Sequence, residues 1–96
     1  MITSKQRSQL RGLANTLSPL FQLGKEGINE NFMKQINEAL EARELIKVKV
    51  LESSGLGSRE ASDIICTELK CEGVQAIGSK FIIYRTSRTK PKIELV

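Results

Sequence analysis

Histidine is missing from this chain of 96 residues, and so is tryptophan. Without histidine there is no Cys/His zinc site and no imidazole to act as general base. Cysteine occurs twice, as Cys66 and Cys71, at a spacing that is not that of a zinc pair. With no secretion signal, these read as reduced thiols of a cytoplasmic protein, and neither has a sequence partner that would make it a nucleophile. Three Phe and one Tyr are too few for a row of aromatics stacking along a nucleic-acid strand. No apolar run approaches the ~18 residues of a membrane span. Walker and Gly-x-Gly-x-x-Gly motifs are also absent, and carboxylates such as Glu38 and Glu41 sit at spacings expected of solvated helix faces. Catalysis, a cofactor, a bound metal, a small-molecule substrate and a membrane are all disfavoured.

What is present suffices for one domain spanning 1–96. Hydrophobic residues make up 40% of the chain and charged ones 27%, enough to build a single core without staples. The net charge of +4 is unevenly spread. Residues 1–25 carry four bases and no acid, residues 80–96 again amount to +4, and the middle stretch 26–79 amounts to −4. If the two ends meet in space they form one basic surface beside an acidic one, and a polyanion binds on the basic side. The plainer reading is that charged ends serve solubility.

Taken in order, Thr3-Ser4-Lys5-Gln6 fits a capping box, and Leu10, Leu13, Ala14 and Leu17 follow as the apolar stripe of a helix ended by Ser18-Pro19. Gly12 within that helix suggests a close packing contact. Leu20 to Leu23 reads as a short strand. Asn29 caps a second helix reaching about Ala42, with Phe32, Met33, Ile36, Ala39 and Leu40 buried. In the strand Glu44 to Leu51, Ile46, Val48 and Val50 alternate with Lys47 and Lys49, so both lysines project from the face opposite the buried one. A third helix runs from about Arg59 to Lys70, with Ala61, Ile64, Ile65, Cys66 and Leu69 inward and Gly73 closing it. A hairpin follows, Val74 to Ile77 and Lys80 to Arg85, turning at Gly78-Ser79 as a type II′ loop. Its register places Val74, Ala76, Phe81 and Ile83 on one face, and Gln75, Ile77, Lys80, Ile82 and Tyr84 on the other. Residues 86–96 read as a basic tail or a weak extra strand at 93–96. The order α-β-α-β-α-β-β predicts an α+β fold, an α/β sandwich with a mixed four-stranded sheet in two layers.

The candidate site is Leu23-Gly24-Lys25-Glu26-Gly27-Ile28. Two glycines three apart let a ligand approach the backbone, and the helix start that follows aims free N–H groups the same way, which suits a phosphate. Gly-x-x-Gly alone arises by chance about half a time in a chain of this composition. A tight strand-to-helix turn needing positive φ explains the glycines equally well, and Glu26 repels a phosphate unless it turns away. Lys47, Lys49, Lys80 and Arg85 are further bases, although strand lysines are common on solvated faces. Tyr84 could stack on a base, but burial is the commoner use of a sheet aromatic.

Leu10-Arg11-Gly12-Leu13-Ala14, Pro19, Leu23-Gly24-Lys25-Glu26-Gly27-Ile28, Glu44-Leu45-Ile46-Lys47-Val48-Lys49, Gln75-Ala76-Ile77-Gly78 and Ile83-Tyr84-Arg85 resemble, in this order and spacing, the CRM domain of bacterial stand-alone YhbY-like proteins. The resemblance covers essentially the whole chain. It implies a fold similar to the C-terminal domain of translation initiation factor 3, and RNA binding through a Gly-x-x-Gly loop likened to that of KH domains. It also implies association with ribosomal RNA in precursors of the large ribosomal subunit, hence a part in ribosome biogenesis. By match of motif, Gly24, Lys25 and Gly27 take the loop role and Lys47, Lys49 and Arg85 the nearby basic positions. Lys80, Lys5 and Arg11 extend the basic surface. The chain departs from the pattern at Glu26, where many relatives carry a basic or neutral residue. Two other readings are a protein-interaction module whose acidic helices dock on a ribosomal protein, and a general RNA chaperone or splicing-type factor.

Overall fold

The computed structural model describes residues 2–96. Its elements are α1 (Ser4–Ala14), β1 (Phe21–Leu23), α2 (Glu30–Arg43), β2 (Leu45–Val50), a 3-10 turn (Glu52–Ser54), α3 (Ser58–Leu69), β3 (Glu72–Ile77) and β4 (Lys80–Tyr84). The sheet is mixed and four-stranded in the order β1-β2-β4-β3, with β1 parallel to β2 and β4 antiparallel to both β2 and β3. This is the α+β arrangement expected from the element order.

Alternation along the strands splits the interior in two. Ile46, Val48 and Val50 of β2, with Phe81 and Ile83 of β4, join Leu23, Ile36, Leu40, Ala61 and Ile65 in the core under α2 and α3. The opposite face holds a smaller cluster, in which Ile2, Leu10 and Ala14 pack on Leu45, Val74, Ile82 and Tyr84, with Ile93 and Leu95 beside them. Each fully buried aliphatic or aromatic side chain contributes on the order of 1.5–3 kcal/mol relative to exposure. The two-layer expectation therefore describes α2, α3 and the sheet. Helix α1 and the C-terminal segment add a partial third layer.

Several local expectations are corrected. Helix α1 is capped as the sequence indicates, Gln6 N–H donating to Thr3 Oγ1 at 3.1 Å and Thr3 N–H to Gln6 Oε1 at 2.9 Å. It ends at Ala14, however, where Leu17 N–H bonds back to Ala14 O at 3.0 Å, well short of Pro19. Leu17 is thus outside the helix and Leu13 is 45% exposed, so the stripe narrows to Leu10 and Ala14. Gly12 marks no close contact, since nothing lies within 4 Å of where its Cβ would be. Ile64 faces outward at 43% exposure. Lys70, not Gly73, stops α3, in the left-handed conformation at φ 55°, and Gly73 lies within β3. Val74 changes face because the β3–β4 register slips between Gly73 and Gln75, leaving Val74 as the extra residue of a bulge. The weak strand at 93–96 does not form.

Candidate nucleic-acid interface

The β-sheet face shared with α1 is covered only in part. Helix α1 lies over Leu45, Ile82 and Tyr84, whereas Lys47, Lys49 and Lys80 lie on the same face nearer the other end of the strands. The register sets Gln22, Lys49, Lys80 and Ile77 in one row across all four strands, and Lys47, Ile82 and Gln75 in the next. Lys49 and Lys80 are direct antiparallel partners, a like-charge juxtaposition that disfavours the sheet slightly. Among the described residues the ion pair within 4 Å is Arg59–Asp63, on α3, so no carboxylate pairs with these lysines.

The glycine loop sits at this open end, where β1 and β2 both finish. Gly27 adopts φ 72°, a conformation that L side chains rarely take, and its N–H bonds Gly24 O at 3.0 Å. Asn29 N–H bonds Gly27 O at 3.2 Å, and Asn29 Oδ1 caps α2 by accepting from Phe32 N–H at 2.8 Å. Two of the amides that a phosphate was expected to meet are therefore used within the loop. Those of Lys25 and Glu26, at the centre of the turn, have no partner among the described residues. Gly24 has ordinary φ, and a Cβ there would meet Leu51 Cδ1 at 3.5 Å and Ser53 Oγ at 3.7 Å, ordinary contact distances. Only Gly27 is required by the backbone itself. A shallow depression of roughly 330 Å³ is lined by Gln22, Gly24, Lys25, Glu26, Gly27, Asn29, Asn31, Phe32 and Gln35. Gln22 belongs both to this depression and to the lysine row, which makes loop and row one surface.

Arg85 does not join it. Its side chain turns to the α2/α3 side, where Nη1 donates to Asn37 Oδ1 at 2.8 Å and Leu69 O at 3.2 Å, and Nη2 to Asn37 O at 3.1 Å. That geometry ties the end of β4 to both helices and leaves little of the guanidinium for a ligand. Tyr84 is buried, its hydroxyl 2.9 Å from Thr86 Oγ1, in line with a core role. Lys5 and Arg11 are exposed on α1, over the same sheet face as the lysine row.

The two basic ends do meet. Gln6 Nε2 donates to Val96 O at 3.1 Å, Gln9 Nε2 to Glu94 O at 2.8 Å, and Val96 N–H to Gln9 Oε1 at 2.9 Å. Two carboxylates invisible to sequence reasoning hold the C-terminal segment in place. Glu44 is fully buried at φ 67° and ψ −41°, accepting from the N–H groups of Ser87 (2.7 Å), Lys92 (2.6 Å) and Ile93 (2.8 Å). Burial by itself pushes this carboxyl up, but those three amides outweigh it and hold it below the ordinary carboxylate range. Glu41 accepts from the Ser87 and Thr89 hydroxyls and the Arg88 and Thr89 amides, which keep it down at about 2. The donors lie more than forty residues away in sequence, so neither glutamate carries a local signal.

The cysteines also differ from expectation, for they are partners of each other: Cys71 S–H donates to Cys66 Sγ at 3.3 Å. No group of three or more metal-ligating side chains forms among the described residues, and no helix there is long and apolar enough to cross a membrane.

Comparison with known proteins agrees with the resemblance noted in the sequence. The model of the CRS1 / YhbY (CRM) domain matches residues 2–85. The chain is 43% identical over 95 residues to Probable RNA-binding protein YqeI of Bacillus subtilis, covering 99% of each. It is 37% identical over 94 residues to a protein of Haemophilus influenzae named RNA-binding protein, covering 98% of this chain and 94% of the relative. The solution structure of the hypothetical protein SAV1595 from Staphylococcus aureus superposes over 100% of both chains with a TM-score of 0.79 and 44% sequence identity.

Proposed function

Since the chain belongs to the CRS1/YhbY (CRM) domain family, we propose that it is a cytoplasmic, non-enzymatic RNA-binding protein whose target is ribosomal RNA in precursors of the large ribosomal subunit. Its work there is assembly. The observation that carries the reading is the row of Lys49 and Lys80, with Lys47 beside it, joined through Gln22 to the Gly24–Gly27 loop; among the described residues no carboxylate pairs with these lysines, and Glu26 is the one acid lining the loop depression. Recognition is mainly of the RNA backbone. The free amides of Lys25 and Glu26 and the Lys25 ammonium meet phosphate at the loop, and Lys47, Lys49 and Lys80 continue the contact along the sheet. Lys5 and Arg11 extend it onto α1. Arg85 is left out, because its donors are engaged by Asn37 and Leu69.

Such binding weakens steeply with salt. Each phosphate neutralised on a single strand adds about 0.7 to the log–log slope, so the four lysines of loop and sheet give a slope near 3, and Lys5 and Arg11 add to it. Replacing Lys25 and Lys47 together by alanine should lower affinity for large-subunit ribosomal RNA fragments and reduce the slope by about 1.4, read from Kd across a salt series. A folded double variant with unchanged affinity and slope rules the surface out. Crosslinking in cells with sequencing of the bound RNA tests the target, and crosslinks lacking large-subunit precursor RNA overturn that part.

A further inference from the structure

Helix α3 ends by turning sharply back on itself. Lys70 takes the left-handed conformation at φ 55° and ψ 48°, and the N–H groups of Lys70 and Cys71 both bond Cys66 O, the latter at 3.2 Å. This helix ending normally stacks an apolar side chain after the turn on one in the last turn of the helix. Here the stacked pair consists of two sulfurs, Cys71 Sγ lying 3.3 Å from Cys66 Sγ. Both cysteines are free, Cys71 buried and Cys66 partly buried.

We propose that Cys66 and Cys71 form a reversible dithiol–disulfide site, closed by a low-molecular-weight disulfide of the glutathione type and acting as a staple between α3 and β3. The sulfurs need approach by only about 1.2 Å to reach the length of an S–S bond, a shift within reach of side-chain rotation. Cys66, the accessible member, is the attacking group and Cys71 the resolving one. The S–H that Cys71 directs at Cys66 Sγ favours its thiolate, with Ser62 Oγ 4.0 Å away on the other side, while Asp63 and Glu72 oppose it. The bond to Cys66 and burial push the Cys71 thiol up in the dithiol form, and Arg85, anchored on Leu69 O, opposes them with its cation.

In the first step the Cys66 thiolate attacks one sulfur of the small disulfide. That S–S bond breaks, one small thiolate leaves and takes up a proton, and a mixed disulfide remains on Cys66. Cys71 then loses its proton to solvent and attacks Cys66 Sγ, expelling the second small thiolate, which is protonated in turn. Two electrons pass from the protein pair to the small disulfide, giving one protein disulfide and two small thiols. The staple lies on the α2/α3 side of the sheet, away from the lysine row. Closing it therefore resists unfolding of α3 and leaves affinity for polyanions unchanged.

The experiment equilibrates the full chain in buffers of reduced and oxidised glutathione, folded and in urea, then alkylates free thiols and reads the mass. The folded chain should lose both alkylatable thiols and two hydrogens without retaining glutathione, with a closure constant at least about tenfold above that of the denatured chain. Cys71→Ser should stop at a stable glutathione adduct on Cys66, and Cys66→Ser should take up glutathione far more slowly. Equal closure constants in folded and denatured chains, adducts on both cysteines, or disulfides between chains would overturn the proposal. If a serine variant fails to fold by circular dichroism, the comparison of folded and denatured wild type decides the matter.

Discussion

Replacing Glu44 by alanine should cost about 3–4 kcal/mol of stability, because it leaves three buried amides without their acceptor. A hydrogen bond to a charged group is worth roughly 1.5–3 kcal/mol, so the bonds from Ser87, Lys92 and Ile93 would sum to more if the segment stayed in place. It need not stay. Once it peels away, water satisfies the amides and the loss is capped by the contacts of 86–96, including Ile93 and Leu95 on the α1 cluster. Glu44→Gln keeps one oxygen for Lys92 and Ile93 but turns an NH₂ toward Ser87 N–H, and should cost roughly half as much. Because Glu44 sits at φ 67°, Glu44→Gly relieves backbone strain that alanine keeps, and should be about 1 kcal/mol less damaging than Glu44→Ala. Urea unfolding gives the three values, and amide exchange at Ser87, Lys92 and Ile93 reports release of the segment. The carboxyl is held below its ordinary range in the folded chain, so its contribution is complete above that range and is lost as pH falls from there through the lower folded value. The gap between variant and wild type should therefore be full at neutral pH and narrow under acid. A loss in Glu44→Ala below about 1 kcal/mol, with amides as protected as before, refutes the reasoning.

Arg85→Lys should lower stability by about 1–2 kcal/mol in thermal unfolding while leaving RNA affinity unchanged, since an ammonium cannot reproduce the fork onto Asn37 and Leu69. Gly27→Ala should cost about 1 kcal/mol through its positive φ, whereas Gly24→Ala should be close to neutral in stability, so that any loss of RNA affinity in the latter belongs to the interface. Carboxyl chemical shifts followed against pH should place Glu41 at about 2, and the protection of the Arg88 and Thr89 amides should vanish as pH falls from the ordinary carboxylate range toward that value.

What could be read from the sequence was local or periodic. The capping box at Thr3, the Asn29 cap and the alternation of β2 depend on neighbours a few residues away, and each is found in place. The lysine row needed only one more fact, the register that sets Lys80 opposite Lys49. The bulge at Val74 was hidden because a slip of one residue leaves composition unchanged while moving a side chain across the sheet. Arg85 read as a free base because Asn37, its partner, is 48 residues away. Glu44 read as the first residue of a strand, since acceptance from backbone amides selects no residue type in the partner segment.

The unevenness of the α1 face bears most directly on function. Leu45, Lys47 and Lys49 share one side of a single strand, yet only Leu45 is roofed by α1, with the C-terminal segment held against that helix. Along the same row Lys49 faces Lys80, and among the described residues no carboxylate comes within pairing distance. Two unit charges about 5 Å apart repel by roughly 0.8 kcal/mol at the dielectric constant of water, less once salt screens them. A single acidic residue at Gln22, in that row, or at Gln75, in the row beside it, would offset that repulsion. Uncharged glutamines stand there instead; most acids lie on α2 and α3, Glu41 and Glu44 are taken up by the C-terminal segment, and of the rest only Glu26 lines the loop depression. A face that keeps its own repulsion unrelieved is one whose counter-charge comes from outside the chain. A phosphate between Lys49 and Lys80 turns the repulsive pair into two attractive ones, so substituting Gln22 by glutamate should stabilise the free protein slightly and weaken RNA binding at once.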